Sequence, residues 1–228
     1  MTSRLPLHAE FLLLAHDDRS GRPLIDSTHL KAGLAGAAVT ELTLQEALRL
    51  EGDGRSARLH ATGRAVAPEL EEALARADGR SPKDAVARIG GGRSWRDRAG
   101  HLEAATLAGL EGAGVGVRGE QTVLGVFHRK VWREQDPAVE REIVERLRNA
   151  VRATGEPDTR TAVLVSLLSA TGLLRKVLPE QDKRVLAARA KEISAGQWGG
   201  QAVATAIQEV EAAVVAAVVA AGAAGASS

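Results

Sequence analysis

Apolar residues recur at helical spacing near the start of the chain: Leu7, Phe11, Leu14 and Ala15 share one side of a helix over Leu7 to His16, and Pro6 can occupy its first turn. This element reads as short and amphipathic. Asp17, Asp18, Ser20 and Gly21 then have turn chemistry, and Asp26-Ser27-Thr28 is a helix start. Leu30, Leu34, Ala37, Ala38, Leu42 and Leu44 carry a second helix to about Leu50, loosened by Gly33 and Gly36, which admit a close neighbour. Leu48, Leu50 and the run Arg55 to Thr62 flank Gly52-Asp53-Gly54, a turn of hairpin type, so helix, helix and hairpin follow in the order of a winged-helix unit. Pro68 to Ala77 and Ser81-Pro82 to Ile89 are two further helices, each opened by a proline.

After Gly90-Gly91-Gly92, Ser94 caps a helix through Leu102, Leu107 and Leu110 that ends at Gly112 and Gly114. Val115 and Val117 alternate with glycine, Arg118-Gly119-Glu120 reads as a turn, and Thr122 to Phe127 resumes as a strand, which makes a second hairpin. Asp136-Pro137 starts a charged helix with Val139, Ile143, Leu147 and Val151 on one stripe. Thr161 to Leu174 is apolar on nearly every side, the mark of a central helix surrounded by others. Glu180 to Ser194 is again amphipathic, and Ala202 to Ala226 is an alanine–valine helix. No fixed-period repeat and no linker long enough to divide domains occurs, so residues 1–228 read as one domain. The fold class is mainly α: a central helical bundle ringed by amphipathic helices with small β-hairpins, its N-terminal part winged-helix-like.

Composition narrows the function. Aromatic residues make up only 2%, so the core must come from Leu, Val, Ala and Ile, which favours helix packing over a β-sandwich. Thirty Lys and Arg against twenty-nine Asp and Glu leave a net charge of +1, which excludes a domain coated in positive charge for nucleic acid. The absence of cysteine excludes disulfides, thiolate metal sites and a cysteine nucleophile. His8 and Glu10 interrupt the apolar N-terminal run and no small-residue cleavage site follows, so no signal peptide is expected and the setting reads as cytoplasmic. The C-terminal helix carries Gln208, Glu209 and Glu211, too polar for a membrane span.

Motifs for catalysis fail on context. Gly112 to Gly116 has a helix before it and a strand after it, the reverse of a dinucleotide loop. Gly90-Gly91-Gly92-Arg93 lacks the Lys-Ser/Thr end of a phosphate-binding loop. The six histidines show no paired spacing on a helix face, so no metal site is expected. Ser166 and Ser169 lie inside an apolar helix, where hydroxyls bond backbone carbonyls, and read as structural. The expectation is a non-enzymatic protein without a cofactor.

Two basic, aromatic clusters stand out: Arg93, Trp95, Arg96 and Arg98, then His128, Arg129, Lys130, Trp132 and Arg133, together holding two of the three tryptophans. At an anionic bilayer each nearby Lys or Arg contributes about 1 kcal/mol and an indole settles at headgroup level, so the clusters fit a peripheral membrane surface. The competing reading is that the tryptophans pack and the arginines lie along apolar surface. Arg93, Trp95, Arg96, Arg98, Arg129, Lys130 and Trp132 are the candidate lipid-binding residues.

The order of segments carries a resemblance. LPLHAEFLLLA from Leu5, DRSG from Asp18, GLAGAAVTEL from Gly33, Ser94-Trp95 before a helix ending LEGAGV from Leu110, RTAVLVSLLSATGLL from Arg160 and the alanine–valine helix follow the pattern of the Golgi phosphoprotein 3 (GPP34) family, over roughly residues 5 to 221. The resemblance implies a mainly helical, non-enzymatic peripheral membrane protein. Eukaryotic relatives bind phosphatidylinositol 4-phosphate and act as adaptors that retain glycosyltransferases, so the implied partners are an anionic lipid of the phosphoinositide class and a protein. The family's lipid pocket uses a tryptophan and arginines. The corresponding positions here are Asp26, Ala35 and the vicinity of Gly100 and Glu103, and none keeps the family's residue. A soluble protein-interaction module without lipid binding is the alternative.

Overall fold

A computed structural model describes residues 4–18, 20–52, 54–91, 99–123, 127–196 and 201–225. In chain order the elements are α1 (Leu7–Leu14), α2 (Ser27–Leu44), β1 (Leu48–Glu51), β2 (Arg58–Ala61), α3 (Pro68–Ala77), α4 (Pro82–Ile89), α5 (Ala99–Gly112), β3 (Gly116–Val123), β4 (Phe127–Glu134), α6 (Pro137–Arg152), α7 (Thr159–Ala170), α8 (Leu174–Val177), α9 (Lys183–Ser194) and α10 (Gln201–Gly225). The protein is mainly helical, with two antiparallel strand pairs, β1–β2 and β3–β4.

Local chemistry sets most helix starts. Asp26, Asp136, Asp158 and Asp182 each accept hydrogen bonds from the first-turn N–H groups of α2, α6, α7 and α9, and Ser81 does the same for α4. The end of α2 departs from the sequence expectation of a helix to about Leu50. It closes at Leu44 in a Schellman motif, with the Ala47 N–H bonded to the Leu42 carbonyl, the Glu46 N–H to the Thr43 carbonyl, and Glu46 at φ +56°. Glycine normally marks that left-handed position, and here a glutamate fills it. The freed residues 48–51 pair with 58–61 as the expected first hairpin.

α1 also differs from its amphipathic reading, because every one of its eight residues is buried, His8 and Glu10 included. α7 is the expected central helix: Thr161 to Leu168 are all buried, and it packs against α1, α2, α6, α9 and α10. It stops at Ala170 because Gly172 turns the chain at φ +72°, and the short α8 follows. α2 touches α1, α3, α4, α7 and α10. Helices with one apolar stripe, such as α6 with Ile143, Leu147 and Val151 inward, close the outside.

The glycines of α2 permit this packing. A Cβ on Gly33 would lie 2.2 Å from the Phe11 ring of α1, and one on Gly36 would lie 2.3 Å from a methyl of Val214 in α10. Gly36→Ala adds a better helix former, worth up to about 1 kcal/mol, but forces α2 and α10 apart in a packed core at a cost of about 1–3 kcal/mol. The expected net effect is a lower melting temperature, read by circular dichroism; an unchanged or raised value would mean that α10 is not seated on α2 as described.

Candidate functional site

The second basic cluster lies on the β3–β4 hairpin. Its register runs from Gly116 opposite Glu134 to Val123 opposite Phe127, so Arg118, Gly119 and Glu120, expected as the turn, instead pair with Trp132, Val131 and Lys130. Cross-strand pairing overrides the local preference of that glycine-centred triplet, and the chain reverses between Val123 and Phe127. In a ladder with side-chain period two, positions 129 and 133 share one face and 130 and 132 the other. Arg133 is exposed, opposite half-exposed Val117.

Trp132 is not a surface indole. It is 5% exposed, and its ring covers Gly116 so closely that a Cβ there would lie 2.4 Å from Cζ2. Its backbone N–H donates to the Gly21 carbonyl at 3.4 Å, which ties the hairpin to the α1–α2 loop. The placement of Trp132 at headgroup level is therefore corrected: the ring packs under the hairpin, the alternative weighed for it from sequence. Arg93, Trp95, Arg96 and Arg98 lie outside the described residues, and of Arg129 and Lys130 only the strand position is described. Arg118 is held by Glu111, whose carboxylate accepts from its backbone N–H at 2.6 Å and from Nε at 2.8 Å.

The root of the hairpin is acidic. One carboxylate oxygen each from Asp18 in the α1–α2 loop, Glu134 at the end of β4 and Glu140 in the first turns of α6 lie within 4.8 Å of one another. Burial and then the Asp18 charge push both glutamates up, Glu134 to about 7 and Glu140 to about 8. Asp136 adds to the effect on Glu134, and the Glu140 backbone N–H and Arg141 oppose it. Such a group can share protons at neutral pH, and its oxygens are of the type that hold a hard divalent cation.

The positions aligned with the family's lipid pocket have other occupations. Asp26 caps α2 and its carboxylate meets His29 Nδ1 at 2.5 Å, Ala35 is buried in α2, and Glu103 is half-buried on α5, where Gly100 also lies.

The sequence profile of the family described as Golgi phosphoprotein 3 (GPP34) matches residues 7–210. The chain belongs to the GPP34 family. No curated protein matches it. Like the sequence resemblance, the match covers the helical body and both hairpins, so family membership and fold agree. Among the described residues of this GPP34 protein no helix is long and apolar enough to cross a membrane.

Residues that sequence reasoning passed over are Asp18, Glu134 and Glu140, which come together from three elements and carry no local spacing signal. The raised values of Glu134 and Glu140 set a sign. A carboxyl whose folded value lies above the unfolded one, about 4.3 for glutamate, leaves stability intact below that pH and removes it as pH rises through about 7 and 8. Glu140→Gln is expected to melt higher than the parent at pH 8.5 and to lose less stability between pH 5 and pH 8.5. Equal slopes for the two proteins would show that the three carboxylates do not interact.

Proposed function

We propose that this GPP34 protein is a non-enzymatic peripheral membrane protein that docks reversibly on anionic lipid headgroups, of the phosphoinositide class, and acts as an adaptor for a protein partner. The observation that carries the reading is family membership over residues 7–210. The composition of β4 supports it, because Arg129, Lys130 and Arg133 bring three cations, beside His128, onto one strand. Three such cations at about 1 kcal/mol each make a weak, salt-sensitive attachment, which suits reversible docking. With Trp132 buried, the apolar contribution falls to Trp95 and to Val117 beside Arg133. Arg93, Arg96 and Arg98 supply a second set of cations in the same proposal.

The alternative, a protein-interaction module that does not touch lipid, is favoured by one observation. The positions that align with the family's headgroup pocket hold a capping aspartate, a buried alanine and a glutamate, none of which attracts phosphate.

Flotation with vesicles of neutral and of anionic composition separates the two. Docking is expected on anionic vesicles at low salt, released as salt rises, and weakened on the order of ten-fold or more by Arg129→Glu with Lys130→Glu. No flotation at low salt, or flotation unaffected by the double substitution, removes the hairpin from lipid recognition, and in the first case leaves the interaction-module reading.

A further inference from the structure

A second polar region lies on the other side of the central helix. Between α7, α9 and α10 runs a groove of about 390 Å³ lined by Ser166, Ser169, Lys191, Ser194, Gln208 and Glu211. Ser166 is 4% exposed and its hydroxyl lies 2.7 Å from that of Ser194. The Ser166 hydroxyl also favours the charged form of the Glu211 carboxyl, which lines the same groove. The sequence reading of Ser166 as purely structural misses this, because its two partners come from helices about thirty and forty-five residues further on.

Glu211 is the anomaly. Glu10 and Glu41, buried in the core, each face an arginine, at 2.7 Å and 2.9 Å, although Glu10 Oε1, like Glu211 Oε1, has no hydrogen-bond partner. Among the described residues the only group that favours the charged form of Glu211 is the Ser166 hydroxyl, burial pushes the carboxyl up to about 7, and Oε1 has no hydrogen-bond partner. A largely buried carboxyl with an unmatched acceptor either keeps its proton or meets a charged donor, and an ammonium is a donor that favours its ionised form. A primary ammonium supplies three N–H donors on a compact charge, one for Oε1 and the others for the lone pairs of Ser166 and Ser194. Lys191 on α9 repels a second cation and attracts an anionic substituent, and the groove is small. Val215 and Val219, exposed further along α10, allow an apolar extension beyond the polar part.

We propose that this groove binds an amino alcohol phosphate, its ammonium on Glu211 and the Ser166–Ser194 hydroxyl pair and its phosphate towards Lys191. The same chemistry occurs free, as phosphoethanolamine, and at a bilayer, as the phosphatidylethanolamine headgroup. The site is separate from the hairpin and does not depend on the anionic-lipid reading.

Titration calorimetry of the full chain with phosphoethanolamine is expected to give saturable binding that Glu211→Gln weakens about ten-fold or more, the loss of one charge-assisted contact. Ser194→Ala weakens it several-fold without a change of charge. Phosphocholine, which offers no N–H donor, binds at least about ten-fold more weakly, and Lys191→Gln weakens phosphoethanolamine but not ethanolamine, which it leaves unchanged or tightens. Affinity rises between about pH 6 and pH 8 as Glu211 ionises, while an alkylammonium stays charged over that range; Lys191 is the other charged group on the groove, beside Gln208, Ser166 and Ser169. Glu211→Gln should melt no lower than the parent at pH 8, which shows that lost binding is not lost folding. Neutral vesicles with phosphatidylethanolamine in place of phosphatidylcholine decide the source: Glu211-dependent flotation competed by phosphoethanolamine assigns the lipid, and calorimetric binding without flotation assigns the free compound. Absence of both up to about 10 mM ligand, or equal binding by Glu211→Gln or of phosphocholine, overturns the proposal.

Discussion

The pairing of two buried carboxylates with arginines ties α1 and α2 to α6 and α7. α1 has no solvated face, so its polar groups must be satisfied from other parts of the chain. Glu10 accepts from Arg146 of α6 at 2.7 Å and lies 3.7 Å from Arg4. Glu41 of α2 accepts from the Leu7 N–H at 2.7 Å and from Arg160 of α7 at 2.9 Å, and Arg160 also donates to the Leu5 carbonyl. Arg4 in turn reaches Asp158 and Thr161 at the start of α7. These bonds join the first helix to elements more than a hundred residues later. Compared with well-packed apolar groups, buried ion pairs add little net stability, yet removing one partner costs about 3–5 kcal/mol. The pairs thus discriminate against any docking of α1 that leaves a charge alone, and α1 with α2 is the platform on which the loop beneath the hairpin rests.

Four glutamates show how environment rather than residue type decides the chemistry. Burial opposes ionisation of Glu41, but Arg160, the Leu7 N–H and Gln45 outweigh it and hold its carboxyl below the usual range. For Glu10 burial wins over Arg146 and Arg4, and the carboxyl is raised. Glu211 has a hydroxyl where the others have guanidinium groups, and Glu140 has other carboxylates where Glu41 has donors. The same burial therefore yields a structural anchor, an arginine-paired acid held above its usual range, a vacant acceptor and a proton-sharing cluster. Only the last two leave chemistry unspent on the fold.

Much of the architecture was legible because it is written locally. Aspartates before apolar runs announced α2 and α6, all-round apolarity announced α7, and Gly33 and Gly36 announced a close neighbour on α2. The misreadings share a cause in non-local structure. α1 looks amphipathic because His8 and Glu10 are polar; Arg146, far along the chain, accompanies Glu10 into the interior, and burial pushes the His8 imidazole down to about 4, so that it is enclosed uncharged. A glutamate at a left-handed position ended α2 without the glycine that signals such an end, and pairing with β4 carried β3 through Arg118-Gly119-Glu120. Sites were harder still. The Trp132 indole was visible as one of three tryptophans, but its direction follows from hairpin register, and Asp18, Glu134 and Glu140 or Ser166, Ser194 and Glu211 meet only in three dimensions.

On the proposed docking reading, the acidic root and the basic ribbon act on each other. Anionic carboxylates close to β4 offset its attraction to headgroups, so the field that a membrane meets depends on how many protons the root holds. A leaflet with a surface potential of about −30 mV concentrates protons by roughly half a pH unit at its surface. Glu134 and Glu140, raised to about 7 and about 8, titrate across that interval, whereas ordinary surface carboxylates stay ionised. Approach to the bilayer then adds protons to the root, diminishes the repulsion among its three carboxylates and increases the net positive charge of the hairpin in the same step. Linkage makes the two effects reciprocal: whatever favours docking by protonating the root is itself favoured by docking.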